Sequence, residues 1–110
     1  MKELTFCTTY NVVYGDRSFK EVDQEKMNIF LKAVFPNLQL AKNEYTADYL
    51  WLSKKELKKV IEIIETTPVW MDEMVSDFNL SYITEDLYQI FLKWYNESDK
   101  DHDYVYIEWI

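Results

Sequence analysis

Four segments of the chain repeat one spacing of apolar residues, and that spacing restricts the folds open to it. Met27, Phe30, Leu31 and Val34 stand at i, i+3, i+4 and i+7. So do Leu57, Val60, Ile61 and Ile64, then Met71, Met74, Val75 and Phe78, and finally Leu87, Ile90, Phe91 and Trp94. At 3.6 residues per turn each set lines up as one apolar stripe, which predicts four amphipathic helices that must bury those stripes against another layer. Polar residues mark the starts. Asp23 is placed to cap the first helix, and Ser53 with Glu56 three residues on has the form of a capping box. Thr67 before Pro68 offers a cap with proline at the first helical position, and Thr84 precedes Glu85 and Asp86. Pro36 should stop the first helix, and Thr66-Thr67-Pro68 should separate the second from the third.

The remaining apolar residues follow a period of two. Between residues 3 and 14, Leu4, Phe6, Thr8, Tyr10, Val12 and Tyr14 alternate with Thr5, Cys7, Thr9, Asn11 and Val13. This predicts one long strand or a tight hairpin, ended by the turn residues Gly15 and Asp16. Leu38 and Leu40, followed by Tyr49-Leu50-Trp51-Leu52, are read as a short hairpin. From Asp103 to Ile110 the alternation returns, with Val105, Ile107 and Trp109 opposed to Tyr104, Tyr106 and Glu108, and predicts a C-terminal strand. The expected fold is α+β: a small antiparallel sheet including the N- and C-terminal strands, with about four amphipathic helices packed on it. Residues 1–110 are expected to form a single compact domain. Gly15 is the only glycine, so few left-handed turns are expected and elements should join through capped helix ends.

Composition narrows the class further. A hydrophobic content of 48%, of which 17 percentage points are aromatic, is too high for a disordered acidic tail, so the acidity belongs to a folded surface. Cys7 is the single cysteine and forms no internal disulfide, and Met1 to Tyr10 has no apolar run after Lys2. A reducing, cytoplasmic setting is therefore expected, with no membrane partner. Carboxylate-rich surface also repels anionic lipid and nucleic acid, so direct nucleic-acid binding is not expected.

Charge is distributed unevenly. Residues 1–59 hold ten Lys/Arg against eight Asp/Glu, whereas residues 60–110 hold two against twelve, so the net charge of −8 resolves into +2 and −10. A field of one sign steers association and argues for a partner with a basic surface. Glu97, Asp99, Asp101 and Asp103 occupy every second position before the last strand. Extended, they would point one way about 6.7 Å apart, a spacing of the order of successive phosphates. As a calcium loop the same run fails, because His102 stands where the turn needs glycine. Lys54, Lys55, Lys58 and Lys59 form the one basic cluster, on the outer face of the second helix, and are read as solvated or paired with the chain's own acids. Lys58 with Glu62 is one such pair.

Nine Tyr, six Phe and four Trp exceed what a core of this size requires. Trp70, Tyr88 and Tyr95 lie off the helical stripes, and Tyr104 and Tyr106 share a side of the last strand. Tyr and Trp concentrate in interface hot spots. Cys7 is read as a small buried filler, and a thiol nucleophile would need His102 beside it. With one glycine no phosphate-binding loop is available, and no hydrolase or metalloprotease motif occurs. The expectation is a non-enzyme without cofactor or metal.

The sequence thus points to a small acidic protein-binding module of inhibitor or antagonist type. Its expected target is the basic nucleic-acid-binding groove of a nuclease or other nucleic-acid-handling protein. Toxin immunity proteins and anti-CRISPR proteins share this profile of size and charge, an analogy of class only. The expected contact residues are Asp72, Glu73, Asp77, Glu97, Asp99, Asp101, Asp103, Tyr104, Tyr106 and Trp109. The alternative is a homodimer or larger homo-oligomer, an adaptor in which the C-terminal strand pairs edge to edge with a second copy.

Overall fold

A computed structural model describes the backbone of residues 4–7, 12–19, 23–42, 48–98 and 100–109. Among the described residues the elements are, in chain order, β1 (Leu4–Cys7), β2 (Val12–Phe19), α1 (Gln24–Val34), β3 (Gln39–Lys42), β4 (Asp48–Ser53), α2 (Lys54–Thr66), α3 (Pro68–Asp77), α4 (Thr84–Glu97) and β5 (Tyr104–Trp109). The fold is α+β, with the five strands in one sheet of order β2-β1-β5-β4-β3. Each neighbouring pair is antiparallel.

The four apolar stripes meet the sheet in one core. Every stripe residue of α1 and α2 is buried, as are Met71 of α3 and Leu87, Phe91 and Trp94 of α4. Met74, Val75, Phe78 and Ile90 are partly buried against them. The sheet supplies Leu50 and Leu52 from β4 and Val105 and Ile107 from β5, each no more than 1% exposed. Edge-on ring pairs link the helices, Phe30 with Phe78 at 5.5 Å and Phe35 with Phe91 at 5.2 Å. The alternate residues of β4 and β5 lie on the other face, where Trp51 is 47% and Tyr104 55% exposed. Helices therefore cover one face of the sheet, and the opposite face is open at these rings.

The helix ends differ in detail from their expected chemistry. Asp23 does cap α1, its Oδ1 accepting the Lys26 N–H at 3.1 Å, and α1 ends at Val34 ahead of Pro36. Ser53 Oγ accepts the Glu56 N–H at 3.5 Å. The Glu56 carboxylate does not close the box, because it accepts instead from Asn37, at 3.2 Å from the backbone N–H and 2.8 Å from Nδ2. This ties the segment after α1 to the start of α2. Thr67 separates α2 from α3, but its side chain makes no capping bond; its N–H completes α2 by donating to Ile63 O at 2.7 Å. Thr84 is the first helical residue of α4, and the cap is Ile83, whose N–H donates to Asp86 Oδ2 at 3.3 Å.

With little glycine to use, the chain places an asparagine where a left-handed residue is required. Asn79 has φ 52°. The Asn79 N–H donates to Ser76 O and the Leu80 N–H to Val75 O, both at 3.1 Å, which is the Schellman closure of α3.

Three further expectations are corrected. Gly15 and Asp16 do not end a strand but lie inside β2. Cys7 opposes Val12 and Thr5 opposes Arg17, so two steps along β1 match five along β2, and Gly15 lies within that irregular stretch. The Glu97 to Asp103 connector is not extended: α4 runs through Glu97, Ser98 is buried, and a turn covers Lys100 and Asp101. Its ladder of equally spaced carboxylates does not form. Finally, β5 is the central strand, paired with β1 on one side and β4 on the other. It has no free edge, contrary to the edge pairing expected of this strand.

Candidate functional site

The expected contact residues fall into two groups at opposite ends of α4, a helix of 14 residues and so roughly 21 Å long. Asp72, Glu73 and Asp77 lie exposed on α3, near the start of α4. Glu97, Asp101 and Asp103 lie exposed at and beyond its far end. Asp99 falls outside the described residues, and the side chain of Trp109 outside the described side chains. One continuous acidic surface is therefore not what forms.

The first group is larger than the sequence reading made it. Between Val60 and Leu92 the chain contains no Lys, Arg or His, and its seven acids there, Glu62, Glu65, Asp72, Glu73, Asp77, Glu85 and Asp86, are all exposed. Two of them take part in tertiary contacts between the helices. Thr84 Oγ1 donates to Asp72 Oδ1, linking α4 to α3. The Tyr88 hydroxyl donates to Glu65 Oε2 at 2.7 Å, linking α4 to α2. That hydrogen bond, with burial and the charges of Glu65 and Glu85, holds the Tyr88 phenol above the usual tyrosine range. The C-terminal half of α2, α3 and the first turn of α4 thus present one acidic end of the helical layer. The signal in the sequence for Glu62, Glu65, Glu85 and Asp86 is the interval without a basic residue.

The second group sits in mixed surroundings. Asp103 O accepts the Lys54 N–H at 2.9 Å, which sets the connector against the start of α2. A hollow of about 430 Å³ there is lined by Lys54, Lys55, Lys58, Tyr95, Asp103 and Tyr104. Tyr104 therefore borders the lysines, not the acidic end. Tyr106 is half-buried on the same open sheet face and packs on Trp51 at 6.4 Å between centroids. Trp51 was missed because its exposure follows from β4 pairing with β5, with Trp51 directly opposite Tyr106. Trp70, Tyr88 and Tyr95, expected at an interface, are partly buried against the core.

Lys55, Lys58 and Lys59 are exposed and make no ion pair or hydrogen bond among the described residues, so the expected Lys58 to Glu62 pair does not form. Along the backbone Cys7 opposes Tyr106 of β5, and His102 precedes that strand. The burial of Cys7 lies outside the described side chains. Among the described residues, no three His, Cys, Asp or Glu side chains gather as a metal ion requires, and no helix is long and apolar enough to cross a membrane.

The chain matches no protein-family model, no curated protein and no solved structure.

Proposed function

We propose that the protein is a small binding module of inhibitor or antagonist type whose acidic end docks on the basic groove of a nucleic-acid-handling protein. The observation that carries this reading is the seven exposed carboxylates gathered between Val60 and Leu92 without one cation in that interval. Such a cluster focuses a negative field and raises the encounter rate with a basic surface. Glu73 and Asp77, four residues apart on α3, place carboxylates about 5–6 Å from one another at Cβ, of the order of successive phosphates. Helix-borne pairs thus take the part that the connector was expected to play. The mechanism is occlusion: carboxylates sit opposite the Lys and Arg that would otherwise hold phosphates, and the groove is closed to its substrate.

The test is capture of partners from the native host by the immobilised protein, at low and high salt, beside a Glu73→Lys/Asp77→Lys variant. The expected result is a basic protein retained at low salt, released at high salt and lost in the variant. Partners held equally at both salts and by both proteins would sink the proposal.

A further inference from the structure

A second hollow lies between the end of α1, one face of α2 and the start of α3, with a volume of about 520 Å³. That is within the range of roughly 300–1,000 Å³ typical of small-molecule sites. Its apolar walls are Val34, Val60, Ile63 and Trp70. Val34 and Val60 are almost fully buried, while Ile63 and Trp70 are half-exposed. Lys55 and Lys59 stand on its rim, one helical turn apart, both exposed and neither engaged in an ion pair or hydrogen bond among the described residues. The acid that also lines it, Glu56, spends its carboxylate on two hydrogen bonds from Asn37. Those bonds fix the wall after α1 in place, so the hollow exists before any ligand arrives.

Apolar walls with two uncommitted ammonium groups at the mouth complement one ligand chemistry. We infer that this hollow binds a small amphipathic monoanion, an aliphatic or aromatic body carrying one carboxylate. The body lies against Trp70 and Ile63, over the buried valines, and the carboxylate meets Lys55 and Lys59. Burial of the body supplies most of the affinity, and the two exposed charge contacts add a smaller increment that selects an acid over an alcohol. The assignment does not rest on what the acidic end binds, although Ile63 and Trp70 belong to helices that also carry its acids.

Octanoate, octan-1-ol and acetate titrated into the intact chain test this, followed by the NMR signals of the Trp70 indole N–H and the Val60 and Ile63 methyl groups. Octanoate is expected to shift all three saturably, octanol to bind about fivefold more weakly, and acetate to shift none of them. Lys55→Gln/Lys59→Gln, whose folding is checked by its amide spectrum, should weaken octanoate about fivefold and leave octanol unchanged. Failure of octanoate to perturb these signals saturably would overturn the assignment. So would equal affinities for octanoate and octanol, or an unchanged octanoate affinity in the double variant.

Discussion

Helices α1 and α2 bury their stripes in the same core and treat their own dipoles in opposite ways. In α1 the acid Glu25 is in the first turn and Lys32 in the last, the arrangement a helix macrodipole favours. In α2 the balance is reversed: Lys54, Lys55, Lys58 and Lys59 outnumber the one acid of the N-terminal half, Glu56, and Glu62 and Glu65 follow toward the C-terminus. Each charge near a helix end costs or contributes about 0.3–1 kcal/mol in exposed positions, so α2 gives up stability that α1 keeps. It remains a helix because Leu57, Val60, Ile61 and Ile64 are buried. Local stability therefore explains the surface of α1 but not that of α2.

The contrast breaks most visibly in association kinetics. Reversing Glu73 and Asp77 to lysine should slow association with the captured basic partner by more than tenfold at low salt, as expected for a steered encounter. Reversing Lys58 and Lys59 to glutamate should change the rate by less than about twofold, because those residues lie off the acidic end. Stopped-flow association across a range of ionic strengths measures both. Equal effects would show that net charge alone governs binding and that the two ends of the layer are not distinct.

A smaller effect of opposite sign is expected in stability. Lys55→Glu turns the start of α2 toward the pattern of α1, and should stabilise the fold by about 0.5 kcal/mol, raising Tm by a few degrees. The same variant should change binding of the basic partner by less than about twofold, since Lys55 lies off the acidic end. Thermal unfolding followed by circular dichroism decides the first part. A fall in Tm would mean that the lysines serve α2 after all.

Much of this layer was readable from the sequence because helical periodicity is local. All four helices follow from the stripes, and the stripe residues of α1 and α2 are all buried. Sheet order was not readable. Alternation in β5 sorts Val105 and Ile107 from Tyr104 and Tyr106, but it cannot name neighbours, and those are β1 and β4, distant in sequence. The error about a free edge follows directly, as does the missed exposure of Trp51. Side-chain competition hid other details: Glu56 has the spacing for a capping box, yet Asn37 offers it two donors. The candidate site was legible as charge and illegible as shape. The acids of residues 60–110 were counted correctly, but α4 sets those of the connector roughly 21 Å from those of α3.

The smallest expected effect comes from a reporter within the acidic end. Tyr88 donates its hydroxyl to Glu65, and that bond, made only by the protonated phenol, is the main reason its ionisation is shifted upward. Burial and the charges of Glu65 and Glu85 act in the same direction. In the unfolded chain the phenol ionises near pH 10. Above about that pH the unfolded state has released a proton that the folded state still holds. The stabilisation from the Tyr88 to Glu65 contact is therefore full below about pH 10 and declines as pH rises through the folded-state ionisation. Glu65→Gln should move the Tyr88 phenolate signal, isolated as the difference from Tyr88→Phe, back toward lower pH. It should also flatten the fall in unfolding midpoint between about pH 9 and about pH 11. Lys58→Gln, at the other end of α2, should move neither. An unchanged Tyr88 titration in Glu65→Gln would mean that α2 and α4 do not share one electrostatic end, and the distinction between the two ends of the helical layer would lose its footing.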